Sequence, residues 1–298
     1  MKVTTMIRTL SVLLAATLLL AACGGGGGGG ADRGLSDNPP NVSSMQATST
    51  FYGRTMTVSV SGTGLDGAIE MTSDNACSSI TRAAGGTEFN QTFTCRVDWV
   101  GEYNLGIRTA AGRPLASLKV NVSDKPHVTM VTNRGTIVIE LELLQARATV
   151  ENFLAYVNDG FYRNVVFHRV IAGEVAQAGG FRPTTVTNET GLVAVTNVRA
   201  PIALESNVGL KHLRGTIGMA REPAAPNSAT SQFFFNLKDN PQFDYQDDAN
   251  RGLAVFGRIV QGLDVMETIG NATTRFDLRN GLGNTVTDVS ITSATQTR

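Results

Sequence analysis

The sequence predicts a mainly β protein, a small antiparallel β-sandwich followed by an antiparallel β-barrel with two covering helices. Three observations predict it. Between about Met45 and Ser123, short stretches alternate polar and apolar residues, with Gly, Asp and Asn between them. Beyond His127, runs of strand type outnumber runs at helical spacing. The connections between these later strands are too short for βαβ crossovers, so the strands must pair antiparallel. The chain is 298 residues long and 42% hydrophobic, which is enough apolar material for two packed cores.

Residues 1–22 are not part of either core. Lys2 and Arg8 precede the apolar run SVLLAATLLLAA, and LAAC ends at Cys23. A positive start, an apolar stretch and small residues at a cleavage point make an export signal. Cleavage that leaves a cysteine first resembles the bacterial lipoprotein signal, which implies a lipid on Cys23. An uncleaved membrane helix is the other reading, but the stretch is short for a bilayer core of about 30 Å. Residues 23–44, seven glycines and then ADRGLSDNPPNVSS, lack apolar periodicity and read as a flexible tether. About 20 such residues reach roughly 25 Å. Gly follows Cys23, which in the lipoprotein family favours the outer membrane. The expected location is therefore the bacterial cell envelope, lipid-anchored at the outer membrane and facing the periplasm.

Residues 45–123 carry the sandwich. MTVSVSG, QTFTCRVD, EYNLGIRT and SLKVNVS alternate, and AAGRP is a turn between two of them. GEYNLGIRTAAGRPLASLKVNV looks like the immunoglobulin-like modules of bacterial surface proteins. Export implies an oxidising compartment, so Cys77 and Cys95 are expected to form a disulfide. Closing that loop of about 18 residues contributes on the order of 3 kcal/mol. No metal site is expected, since neither cysteine has a second Cys or a His at ligand spacing. Trp99 and Tyr103 read as core or corner residues, with a sugar platform as the alternative.

SDKPH joins the two parts, and residues 127–298 carry the barrel. TNRGTIVIELEL is a strand pair about a turn at Asn133–Gly135. TVENFLAYVNDG is a helix, with Thr149 placed to cap it and Gly160 to stop it. VVFHRVI, GTIGMA, SQFFFNL and LAVFGRIV read as strands, GLDVMETIG as a second helix, and TVTDVSIT as a last strand. Alternation along VVFHRVI puts Phe167 and Arg169 on one face and His168 on the other, so His168 reads as structural.

Charge narrows the function. Basic and acidic residues balance at 25 each with no basic run, which argues against nucleic acid and against a polybasic membrane patch. The only membrane contact expected is the Cys23 lipid. His127, His168 and His212 are far apart, and no GxSxG, HExxH or GK[ST] phosphate loop occurs. The second part does offer Arg169 with the glutamines Gln177 and Gln232 and apolar neighbours, on or beside strands. That set suits rotation about an X–Pro bond, which makes no covalent bond but faces a barrier of about 18–20 kcal/mol. In the twisted amide the nitrogen regains its lone pair. A guanidinium aimed there gains a hydrogen bond that the planar ground state does not offer.

FYRNVVFHRVI with QAGGF, GTIGMAR, SATSQFFFN and LAVFGRIVQGLDV occur in the order and rough spacing of the cyclophilin family, and residues 127–298 resemble it. The resemblance implies peptidyl-prolyl cis-trans isomerase activity on Pro-containing segments of exported proteins, with no cofactor. It matches Arg169 to the catalytic arginine, and Gln177 and Gln232 to the glutamines that hold substrate backbone. Phe234 and Phe243 match proline-pocket residues. Val175 stands where Met is usual and Leu253 where a His is usual. Ala220 and Arg221 match the segment that lies along the peptide. Gln242 replaces a large aromatic, which implies weak cyclosporin binding.

Glu174 is the doubtful pocket position, because the family has Phe there, and Ala172 replaces a usual Pro. A carboxylate at 174 either pairs with Arg169 and draws it from its task or turns outward to solvent. If it pairs, the chain is a weakened cyclophilin-like module that binds Pro-containing segments as a chaperone or adapter. The excursion FRPTTVTNETGLVAVTNVRAPIALES is either a gate or a surface insertion. A tethered monomer is the expected state.

Overall fold

The computed structural model describes residues 39–298 except 68, 76, 184–190, 274, 278–282 and 286–288. The signal segment, Cys23 and the glycine tract lie outside the described residues.

Seven strands come first: β1 (Asn41–Thr48), β2 (Thr55–Thr63), β3 (Ile69–Ser73), β4 (Cys77–Arg82), β5 (Asn90–Val97), β6 (Gly101–Thr109) and β7 (Pro114–Val122). β1 starts within the segment read as tether. The strands form two antiparallel sheets, ordered β1-β2-β5-β4 and β3-β6-β7. Period-two alternation turns Met56, Val58 and Val60 of β2 and Phe93, Cys95 and Val97 of β5 inward. Ile69 and Met71 of β3 and Leu105 and Ile107 of β6 join them in the core. Cys77 and Cys95 are bonded, with Cα atoms 5.5 Å apart, and tie β4 to β5 within one sheet. Trp99 departs from the core reading. It is 55% exposed, and the Arg147 guanidinium lies 5.8 Å from its ring centre.

The remaining elements are β8 (His127–Thr132), β9 (Gly135–Leu141), α1 (Arg147–Asn158), β10 (Arg169–Ile171), β11 (Val175–Ala178), β12 (Phe181–Pro183) and β13 (Leu192–Ala194). They continue with β14 (Thr216–Met219), β15 (Phe233–Asn236), β16 (Ala254–Gln261), α2 (Leu263–Gly270), β17 (Arg275–Asp277), β18 (Gly283–Thr285) and β19 (Ile291–Gln296). Eight of them form one antiparallel sheet in the order β10-β11-β15-β14-β16-β9-β8-β19. Residues leading into the two edge strands close it into a barrel. Asn164 N–H donates to the Ile291 carbonyl and Ile291 N–H to the Val165 carbonyl, both at 2.8 Å, and Phe167 N–H donates to Val289 at 2.9 Å. Phe153 of α1 packs its ring 5.2–5.6 Å from Tyr162, Phe233 and Phe256, centre to centre, and so plugs the barrel. The fold class read from the sequence, mainly β with two helices, is the one observed.

Local details differ from the sequence reading. Only Arg169–Ile171 of VVFHRVI is strand, so alternation does not run through Phe167. Phe167 instead packs among Phe233 and Phe235 inside the barrel, on the face opposite Arg169. His168 is indeed structural. It is fully buried, with its ring 4.8 Å from that of Phe181. Neither ring nitrogen makes an aligned hydrogen bond, and burial above all pushes the imidazole down to about 4. The last strand, β19, begins near the end of TVTDVSIT and runs past it; residues 286–288 of that stretch lie outside the described residues. Gly160, at φ +68°, ends α1 as expected, but Thr149 does not cap it. The Glu205 carboxylate does so from a distance, accepting Ala148 N–H at 3.1 Å, Thr149 N–H at 2.8 Å and the Thr149 hydroxyl at 2.7 Å. A carboxylate there also suits the positive end of the helix dipole.

Glu205 belongs to the excursion, whose residues 184–190 lie outside the described ones. Arg199, like Glu205, lies against α1, while Ile202 N–H donates to the Ala229 carbonyl at 3.0 Å. Arg199 N–H donates to the Tyr156 hydroxyl at 2.6 Å, and the Arg199 guanidinium pairs with Asp159 at the other end of the helix.

Candidate active site

Strand register sets out the site. Arg169 stands opposite Gln177, Gln177 opposite Phe234, Phe234 opposite Gly218, and Gly218 opposite Val255. Directly opposed residues share a face of a sheet, so one row crosses five adjacent strands from a guanidinium through an amide to an aromatic ring.

The polar end is a chain of side chains. Gln177 Nε2 donates to Gln232 Oε1 at 2.8 Å, and Arg169 Nη1 lies 3.4 Å from Gln177 Oε1. The small residues after Gln177 make room for it. A Cβ on Gly180 would come within 2.8 Å of Gln232 Cδ, and one on Gly179 within 2.3 Å of the Ser231 carbonyl. Gln232 also accepts Ala220 N–H on its carbonyl at 2.9 Å, which brings the segment of Ala220 and Arg221 beside it.

The apolar end is a cluster of three rings. His212 stacks on Phe234, with centres 5.6 Å apart and planes at 9°, and Phe243 meets both edge-on at 5.8 Å. Leu253 N–H donates to the Phe243 carbonyl at 2.8 Å, which holds Leu253 at the rim. Val175, 2% exposed, lies in the neighbouring row with Ile171 and Asn236.

A buried hydrogen-bond network supports these rings. Asn240 Nδ2 donates to Asn236 Oδ1 at 2.9 Å, and Asn236 Nδ2 donates to His212 Nδ1 at 3.1 Å. With Nδ1 accepting, Nε2 carries the proton and donates to the Leu253 carbonyl at 3.1 Å. Burial lowers the His212 pKa, so the ring is a neutral spacer under the rim. Sequence reasoning noted His212 only as distant from the other histidines. Nothing in its local pattern marks it, and Asn236 and Asn240 went unread.

The Arg221 guanidinium is taken up by backbone carbonyls, those of Gly252 at 2.9 Å and of Glu222 and Pro223 at 2.8 Å. It thereby braces the loop that carries Phe243 and Leu253. An open cleft of about 450 Å³ between Arg221, Gln242, Phe243, Arg251 and Leu253 adjoins the rings.

Glu174 sits in the β10–β11 turn, half-buried. Its N–H donates to the Ile171 carbonyl, and its own carbonyl accepts Leu237 N–H and Asn240 Nδ2. Among the described residues no hydrogen bond or ion pair joins its carboxylate to Arg169, whose guanidinium turns toward Gln177 instead. Register puts Arg169, Gln177, Phe234 and Val175 on one face of the sheet, and Gln232 joins them through its bond to Gln177. Among the described residues no group of three or more His, Cys, Asp or Glu stands close enough to hold a metal.

The arrangement sets two amides, a guanidinium and a cluster of aromatic rings side by side. The family model described as cyclophilin type peptidyl-prolyl cis-trans isomerase/CLD matches residues 127–296. Peptidyl-prolyl cis-trans isomerase B of Escherichia coli (strain K12) is 43% identical over 149 residues, 49% of this chain and 85% of that protein. Peptidyl-prolyl cis-trans isomerase A of Dickeya dadantii is 40% identical over 148 residues, 50% of this chain and 73% of that protein. The crystal structure of a Cryptosporidium parvum protein of the same type aligns over 58% of this chain and 98% of that one, at 23% identity and a TM-score of 0.45.

Proposed function

The chain belongs to the cyclophilin type peptidyl-prolyl cis-trans isomerase family, and from that premise we propose that it is an exported, lipid-anchored isomerase whose Arg169 stabilises the rotating X–Pro bond. The observation that carries this reading is the row Arg169–Gln177–Phe234, with Gln232 bonded to Gln177. Gln177 and Gln232 hold the substrate backbone on either side of the bond. The proline ring seats on Phe234 and Phe243, with Val175 and Leu253 at its margin and the peptide running past Ala220 and Arg221. Rotation pyramidalises the proline nitrogen, and the Arg169 guanidinium donates to the lone pair that appears there. That interaction exists only in the twisted state, so it lowers the barrier rather than tightening the ground-state complex.

Substrates on this reading are Pro-containing segments of proteins that fold in the envelope. The Cys23 lipid keeps the enzyme at the outer membrane facing the periplasm, as a monomer above a flexible tether. The support is the sequence of residues 1–30.

The test is cis–trans exchange in an Ala-Pro-Phe peptide, followed by NMR line broadening. Wild-type protein should accelerate exchange, and Arg169→Ala should lose about 10²–10³-fold of that acceleration. Glu174→Phe should change turnover little, because the carboxylate does not engage Arg169. A large gain from Glu174→Phe, or peptide binding without turnover in the wild type, would replace this reading with that of a binding module.

A further inference from the structure

An asparagine in mid-helix has poor helix propensity, and a buried one is costly unless its amide is bonded. Asn152 of α1 is both, at 8% exposure. Its Nδ2 donates to the Thr230 carbonyl at 2.6 Å. Thr230 stands just before Ser231 and Gln232. The Tyr162 hydroxyl holds the Ser231 carbonyl at 3.0 Å, and Ser231 Oγ donates to the Gly179 carbonyl at 2.9 Å. The peptide segment carrying Gln232 is thus held from behind, and Asn152 is the hold that comes from α1.

A second face of α1 meets the N-terminal part of the chain. The Tyr52 hydroxyl donates to Glu151 and accepts from Arg147 Nη2 at 2.8 Å. Arg147 pairs with Glu151 at 2.8 Å, and its guanidinium lies 5.7 Å from the Tyr52 ring centre and 5.8 Å from that of Trp99. Arg54 Nη1 donates to Asn158 Oδ1 at 2.9 Å, two turns further along the same face. Glu151 and Asn152 are neighbours, so the residue that seats the sheets adjoins the residue that holds Thr230.

We propose that Asn152 is a positioning residue. Its bond to Thr230 fixes Gln232 for substrate, and through it the seating of the N-terminal sheets on α1 reaches the groove. The kinetic part rests on the reading of Gln232 as a hold on substrate backbone. Such a hold acts equally on ground and transition states, so loosening it raises KM and leaves kcat.

The experiment uses the purified protein at pH 8 with the Ala-Pro-Phe peptide at a series of concentrations, and records the Gln232 side-chain amide signals by NMR without peptide. Asn152→Asp keeps the shape, but an ionised carboxylate has no proton for the Thr230 carbonyl. It should raise KM about threefold to tenfold, the cost of one lost hydrogen bond, with kcat within about twofold. The Gln232 signals should shift. Arg147→Ala should shift the same signals and add little to Asn152→Asp when the two are combined. Wild-type KM and unmoved Gln232 signals in Asn152→Asp would overturn the proposal, as would full additivity of the two changes. If the wild-type protein shows no turnover, the isomerase reading fails instead, and the Gln232 signals alone decide this one.

Discussion

Gly218→Ala puts one methyl group beneath the ring proposed to seat proline. Gly218 lies directly across from Phe234 in the β14–β15 ladder. A Cβ there would stand 2.5 Å from Phe234 Cζ and 2.9 Å from His212 Cε1. Carbon atoms pack comfortably at about 3.5–4.0 Å, so the Phe234 ring has to move by about 1 Å. It has nowhere to go at no cost, since His212 is stacked on it, Phe243 meets both, and Phe234 itself is 4% exposed. Overpacking of this kind costs about 1–3 kcal/mol. At about 2–4 °C per kcal/mol for a chain of this size, calorimetry should show a midpoint lowered by roughly 2–12 °C. A shift of about 1 Å in a group that positions substrate costs up to about 10²-fold in turnover, even with Arg169 untouched. Peptide exchange by NMR reads that loss. A variant that melts and turns over like wild type would mean that the ring stack is not a fixed seat, and the account of the apolar end would fall.

Two further predictions concern stability. The His168 imidazole is held down to about 4 by burial, against about 6.5 in the unfolded chain. The unfolded chain therefore binds the proton more readily, so stability is full above about 6.5, falls as pH drops from there toward 4, and levels below. The loss attributable to His168 is on the order of 3 kcal/mol. Denaturant unfolding across that range should show a flatter pH dependence in His168→Leu, and an unchanged slope would place the sensitivity elsewhere. Reducing Cys77–Cys95, which spans 18 residues, should cost roughly 3 kcal/mol in the N-terminal sheets and leave turnover unchanged. Melting curves with and without reductant, against Cys77→Ser/Cys95→Ser, check this, and a fall in turnover on reduction would contradict it.

The groove was legible because its residues come in strand blocks whose register follows from period two. Once Arg169 and Gln177 flank a tight turn, they must face each other. The same rule misplaced Phe167, because the regular strand starts only at Arg169 and the residues before it pair with the far end of the chain. Thr149 has the right chemistry for a helix cap, but a carboxylate from a distant loop reached the same N–H groups first. His212, Asn236 and Asn240 were unreadable for a related reason. A buried polar network is assembled from separate segments, and none of its members leaves a periodic trace in its own. Glu174 was left open between two outcomes by sequence. Geometry separates them because the Arg169 side chain is directed along its own row.

The position of β8 in the large sheet bears on the order in which the protein can assemble. β8 pairs with β9, its immediate successor, and with β19, whose residues 291–296 are made far later. The two N-terminal sheets need nothing beyond residue 122. A chain emerging N-terminus first therefore completes these sheets early and carries β8 with one open edge through most of its synthesis. The barrel shuts only when 289–291 arrive to bond 164–167. Closure of the barrel is thus the last step of assembly to become possible.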